Sequence, residues 1–187
     1  MQAPDAGRPC AHVGYTVPSA WIERFAYLVP PAGPVVDIAC GSGRHVRYMR
    51  ARGHTVLAID RDQQALEGMS SDPGIEIIAA DLEDGSPWPL GTRRFAGVVV
   101  TNYLWRPLLP AMVAAVASSG VLLYETFAQG NEAFGKPSNP DFLLKPGELL
   151  DAVRGQLRVL AYEDLIVDSP KPAAIQRIVA RRERQDR

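Results

Sequence analysis

The stretch Val35-Val36-Asp37-Ile38-Ala39-Cys40-Gly41-Ser42-Gly43-Arg44-His45, followed by Val56-Leu57-Ala58-Ile59-Asp60, decides the fold of this chain. Val35 to Ala39 is a short apolar run of the kind that fills a strand buried on both faces. Gly41 and Gly43 supply the positive φ of a tight loop and let a ligand approach the backbone with no Cβ in the way. Val46, Met49 and Arg50 then recur at helical spacing up to Gly53, a helix terminator. Val56 to Ile59 is a second buried strand, stopped by Asp60. A strand, loop, helix and strand in this order open an α/β fold and take a nucleoside-containing ligand at the carboxyl ends of the strands.

Downstream the alternation continues. Asp62 caps a helix, Ser71-Asp72-Pro73-Gly74 makes a turn, and Ile75 to Ala80 is a third strand ending in Asp81-Leu82-Glu83. Phe95 to Thr101 is a fourth strand ending at Asn102-Tyr103. The spacing predicts a helix over Leu104 to Ser118, with Pro107 and Pro110 in its early turns, and a fifth strand over Val121 to Phe127. Strand and helix repeated in this way imply a parallel sheet covered on both faces. Past Ala128 the pattern breaks. Residues 129–142 are polar and aperiodic, read as a functional loop with Gly130 and Gly135 as hinges that closes over an acceptor. A short helix from Lys145 through Val153 follows, then strands over Leu157 to Val167 and Ala173 to Ala180, joined by a hairpin-like link.

Upstream, Ser19 caps a helix running to Leu28, whose Ile22, Phe25, Ala26 and Val29 form one apolar stripe. Trp21 beside it reads as packing. Residues 1–18, broken by proline and glycine, are expected to form a mobile arm, and residues 19–187 a single domain.

Composition narrows the function. The 187 residues are 47% apolar, enough for one well-packed domain. A formal net charge of −1 gives no broad electrostatic attraction for nucleic acid or an anionic membrane, and no apolar run approaches the roughly 20 residues of a membrane helix. No basic start followed by an apolar core marks a secretory signal. The two cysteines, Cys10 and Cys40, make neither a disulfide framework nor a zinc site, which fits a reducing, cytosolic setting.

Gly-x-Gly alone occurs in many nucleotide sites. A dinucleotide fingerprint requires a third glycine where this chain has Val46. Asp37, inside the first strand and just before the loop, repels pyrophosphate and suits a ligand bearing positive charge, such as an α-amino group or a sulfonium. Both features weigh against a nicotinamide dehydrogenase.

The segment Asp37-Ile38-Ala39-Cys40-Gly41-Ser42-Gly43 closely resembles the first motif of class I S-adenosylmethionine-dependent methyltransferases. The order of elements resembles that of the small tellurite-resistance-type members. The resemblance covers residues 33–181 and implies a Rossmann-like three-layer sandwich. Its sheet would be seven-stranded and mostly parallel, in the order 3-2-1-4-5-7-6, with strand 7 antiparallel. It further implies that Gly41 and Gly43 frame the methionine moiety, with Ala39 in the place of the loop's first glycine, and that Asp37 acts on the amino group. Asp60, followed by Arg61, would accept the ribose hydroxyls; a carboxylate offers two acceptor oxygens to two vicinal donors. Asp81 would take the adenine amine beside the backbone of Leu82, and Asn102 would face the methyl group and methionine tail. Tyr103 and Glu125 are the candidates for orienting or deprotonating the acceptor. Tyr15, Arg106, Tyr124, Asn131, Glu132, Phe134, Lys136 and Asn139 complete the acceptor side.

This chain departs from the family pattern twice. Ala39 replaces a glycine, which requires its φ to stay negative, and Ala96 follows Phe95 where an aspartate is usual. Cys40 reads as a small packed loop residue, His45 as lining the helix start, and Arg44, Arg47, Arg50 and Arg52 as a solvated helix face. The expected activity is methyl transfer from S-adenosylmethionine to a small molecule, releasing S-adenosylhomocysteine. Methylation of RNA or protein, and cofactor binding without catalysis, are the alternatives.

Overall fold

The computed structural model describes residues 16–184, so the expected arm lies almost wholly outside the described residues, as do Cys10 and Tyr15. Seven strands form one sheet: β1 Val35–Ile38, β2 Val56–Asp60, β3 Ile75–Ala79, β4 Phe95–Thr101, β5 Val116–Phe127, β6 Arg158–Val167 and β7 Ala173–Arg181. Their order is β3-β2-β1-β4-β5-β7-β6. The first five are parallel, and β7 runs antiparallel between β5 and β6. Fold class and strand order agree with expectation.

Side-chain alternation sends each central strand's residues to two apolar layers. Val36, Ile38, Leu57, Val98, Leu122 and Tyr124 pack with helices α4 (Leu109–Ala114) and α5 (Glu148–Val153). Val35, Val56, Ala58, Val99 and Leu123 pack under α1 (Ala20–Phe25), α2 (Arg44–Ala51) and α3 (Gln63–Glu67). Asp37 and Glu125 alternate in step with Val35 and Leu123, so both carboxylates belong to the face that carries α1 and α2.

The caps read from sequence are present: the Ser19 hydroxyl accepts from Trp21 N at 3.1 Å and Asp62 accepts from Ala65 N at 3.1 Å. Trp21 is buried and packs edge-on against Phe25 at 4.5 Å. The helix expected to reach Leu28 is α-helical only to Phe25 and finishes as a 3₁₀ turn over Ala26–Leu28. A larger correction concerns Leu104 to Ser118. The regular helix there spans Leu109–Ala114, after a 3₁₀ turn over Arg106–Leu108, and Val116 already belongs to β5. Phe95 N takes the Ala115 carbonyl at 2.8 Å, so sheet pairing ends the helix before its local propensity would. The strand then bulges through Ser119, with φ 62, and rejoins β4 in register at Val121 opposite Gly97.

Candidate functional site at the strand ends

The loop after β1 brings the quoted motif together. Ala39, Gly41 and Gly43 all adopt left-handed φ, at 55°, 54° and 76°. The expectation that Ala39 keeps a negative φ is therefore wrong: the loop imposes the glycine-like conformation even where an alanine stands, at a steric cost. A Cβ on Gly43 would also meet Met69 Sδ at 1.9 Å, so a larger residue there has to displace the Met69 side chain.

Asp37 is 1% exposed, and neither carboxylate oxygen has a hydrogen-bond partner of normal geometry. Burial pushes its carboxyl up to about 8; Arg44 and the Val46 amide oppose the shift, and Asp60 adds to it. A carboxylate kept this dry and unpaired is a poor structural element and a good counter-charge for an incoming cation.

Asp60 closes the loop from β2. Its Oδ2 accepts from Gly41 N at 2.7 Å and its Oδ1 from Asp62 N at 2.9 Å. Each oxygen keeps one further acceptor position. These two bonds, which sequence reasoning did not foresee, make Asp60 a brace for the glycine loop as well as a polar group at its rim. Arg61 beside it is exposed.

At the end of β3, Asp81 is half-buried and accepts from Glu83 N at 3.0 Å. A recess of about 290 Å³ opens there, walled by Asp81, Leu82, Trp88, Pro89 and Leu108. A second recess, of about 240 Å³ and lined by Pro34, Thr55, Glu76 and Arg93, lies at the amino ends of the strands, away from the motif residues.

After β4, Asn102 is exposed with φ 55, and its amide donates to the Glu125 carbonyl at 2.9 Å. Tyr103 is half-buried, and its carbonyl accepts from the Tyr124 hydroxyl at 2.8 Å. Tyr124 itself is turned into the core, 1% exposed, so its side chain faces no acceptor space.

Glu125 stands at the other end of the site and is fully engaged. Its Oε1 accepts from Ser19 Oγ at 2.8 Å, and Arg177 lies 3.3 Å from its Oε2. Arg177 also pairs with Glu163 and covers the Trp21 ring at 4.7 Å. Ser19 N donates to His45 Nε2 at 3.0 Å, so that nitrogen is unprotonated. Nδ1 faces Thr101 Oγ1 at 3.4 Å. Burial, with Arg44 adding, pushes His45 down to about 3; it is a neutral tie between α1 and α2. Burial drives the Cys40 thiol up and keeps it un-ionised.

The segment 129–142 is held more tightly than its composition suggests. Asn131, 2% exposed, donates to the Pro137 carbonyl at 2.9 Å and accepts from Ala174 N at 3.3 Å. Arg106 donates to the carbonyls of Asp141 and Leu143 at 2.6 and 2.8 Å and forks onto Glu148. Of the expected acceptor-side residues, Phe134 is exposed, at 42%, whereas Arg106 and Asn131 work as fasteners. The α2 arginines bond locally: Arg50 forks onto Asp72, Arg52 covers Tyr48, and Arg44 reaches the Val17 carbonyl.

Residues 35–119 match a family model described as a methyltransferase domain. A comparison with curated proteins finds no match. Among solved structures the chain is similar to TehB from Haemophilus influenzae, with 16% identity and a TM-score of 0.67; the match covers 87% of this chain and 61% of that one. An S-adenosylmethionine dependent methyltransferase from Mesorhizobium loti matches at 18% identity and TM-score 0.66, over 87% of this chain and 98% of that one. The 1,6-didemethyltoxoflavin-N1-methyltransferase of Burkholderia thailandensis, solved with 1,6-didemethyltoxoflavin and S-adenosylhomocysteine bound, matches at 18% identity and TM-score 0.61, over 88% and 76%.

Proposed function

We infer that this chain, whose residues 35–119 match a methyltransferase domain model, binds S-adenosylmethionine at the carboxyl ends of β1 to β3 and passes its methyl group to a small-molecule acceptor, leaving S-adenosylhomocysteine. The observation that carries this reading is the Asp37 carboxylate, buried beneath the glycine loop with both oxygens unpartnered. An α-amino group supplies the missing positive charge, directly or through one water. Pyrophosphate would bring two more negative charges to the same place.

The other residues fit the remaining parts of that ligand. The free acceptor positions of Asp60 suit the ribose diol. Asp81 and the recess beside Leu82 and Trp88 suit an adenine ring and its exocyclic amine. Ala39, Gly41 and Gly43 hold the backbone where the methionine tail passes, and Arg61 and Asn102 stand at the rim. When bound, the cofactor supplies a methyl carbon on a cationic sulfur, so the acceptor–carbon bond forms as the carbon–sulfur bond breaks with its electron pair on sulfur. The protein's task is to align acceptor and methyl carbon and to exclude water. Glu125 is read as orienting groups on the acceptor side. Its carboxylate carries the Ser19 and Arg177 contacts, so it acts in that role through the network it anchors. The neighbour with 1,6-didemethyltoxoflavin bound supports a small-molecule acceptor.

Calorimetric titration tests this. S-adenosylmethionine and S-adenosylhomocysteine should bind where NADH does not. Asp60→Ala, losing the ribose bonds and the Gly41 brace together, should weaken binding at least tenfold, or about 1.4 kcal/mol. Equal affinity for the variant would remove the ribose assignment.

A further inference from the structure

Tyr103 carries a feature that the methyl-transfer reading leaves unused. Its hydroxyl is buried and has no hydrogen-bond partner, although buried tyrosine hydroxyls normally find one. Its position is set from the backbone. Asn102 turns the chain with φ 55, Asn102 N is tied to β5 through the Glu125 carbonyl, and Tyr124 Oη clamps the Tyr103 carbonyl at 2.8 Å. The Tyr103 side chain is half-buried. Its ring packs on the apolar layer that also receives Leu82 and Trp88. The charges its hydroxyl senses are those of Glu83, Asp81, Arg61 and Asp60, all from the ends of β2 and β3.

We propose that Tyr103 is a cofactor-positioning residue whose hydroxyl donates a hydrogen bond to the nucleoside half of the methyl donor, held in place by the buried Tyr124 hydroxyl. The inference rests on the S-adenosylmethionine reading and moves Tyr103 from the methyl end of the site to the adenosine end. Three carboxylates and burial keep the phenol protonated, so it needs an acceptor. A neutral one, a ribose oxygen or a purine nitrogen, is what this acidic surround tolerates; a phosphate is repelled. The carboxylates around Tyr103 would thereby also select a nucleoside over a nucleotide.

The test is calorimetry on the full chain and Tyr103→Phe, with S-adenosylhomocysteine, adenosine, methionine and AMP as probes, alongside the melting temperature of each ligand-free protein. Tyr103→Phe should bind S-adenosylhomocysteine and adenosine about tenfold more weakly, with methionine affinity unchanged. Its ligand-free melting temperature should be equal or higher, since the variant removes an unsatisfied buried hydroxyl. AMP should bind the parent chain more weakly than adenosine. Undiminished S-adenosylhomocysteine affinity in Tyr103→Phe, an equal loss for methionine, a lower ligand-free melting temperature, or tighter binding of AMP than adenosine would each overturn the assignment of Tyr103 while leaving the cofactor reading in place. Failure of the parent chain to bind S-adenosylhomocysteine at all would overturn both.

Discussion

Asp37 stands in the folded protein with its carboxyl raised to about 8 against an ordinary value of 3.8. The folded state thus holds this proton more tightly than the unfolded chain does. The stabilisation is complete below about pH 4 and is lost as pH rises through 8. Asp37→Asn removes the titration, so between pH 5 and 8 the variant should lose less stability than the parent; chemical denaturation at the two values measures this, and parallel behaviour would contradict it. Ala39 makes the opposite kind of compromise. With φ 55 it occupies a region glycine reaches freely, and Ala39→Gly should stabilise the ligand-free protein by about 1 kcal/mol, relief of strain outweighing the entropy glycine adds to the unfolded chain. For a chain of this length that is a rise of about 2–4 °C in melting temperature. The identity of residue 39 was plain in the sequence, but its φ was not, because the backbone torsion follows from the glycine loop being drawn to Asp60 by the Gly41 bond.

At the scale of elements, the segment between β5 and α5 is anchored by contacts that its composition does not announce. Its glycines, prolines and polar residues read as a functional loop that closes over an acceptor. Arg106, from the turn before α4, reaches across it with bonds to two carbonyls and to Glu148. Asn131 buries its amide between Pro137 and Ala174. Arg106→Ala should leave those carbonyls without donors and lower the local opening free energy around Leu143 and Leu144 by about 2–3 kcal/mol. Amide hydrogen exchange reports this directly; unchanged protection would show that Asn131 and the Gln129–Leu144 backbone pairing suffice. No periodicity could have announced this anchoring, since Arg106 bonds residues 35 to 42 positions away and Asn131 reaches Ala174, 43 positions away, through side-chain hydrogen bonds. The helix forecast from Leu104 to Ser118 failed for a related reason: Val116 is taken by its partner strand.

At the scale of the whole molecule, Arg177 joins three strands and a helix. From β7 it pairs with Glu125 on β5 and Glu163 on β6, and it covers Trp21 on α1. These side chains are between 13% and 29% exposed, dry enough for a lost partner to matter. Arg177→Ala leaves Glu125 with only the Ser19 hydroxyl and Glu163 with only Arg24, and uncovers the tryptophan; it should cost about 2–3 kcal/mol in global stability by denaturant unfolding. A loss below about 0.5 kcal/mol would place the network among surface ion pairs of little consequence. Through Glu125 and Ser19 the same network reaches His45 and Thr101, so the antiparallel edge of the sheet is mechanically continuous with the site.

The sequence by itself determined the α/β alternation, the strand ends at which acids stand, and the glycine loop that separates this site from a dinucleotide fold. Those features are local: burial sets the strand pattern, and each acid lies within a few residues of the strand it ends. The family resemblance on Asp37 to Gly43 then supplied the strand order. Only the tertiary structure decided that Asp37 is dry and without a hydrogen-bond partner, that Asp60 braces the loop, that Glu125 is spoken for by Ser19 and Arg177, and that the Tyr103 hydroxyl is buried without a partner. Each of those depends on which distant groups share a volume, and desolvation, pairing and direction arise only when the chain has closed around it.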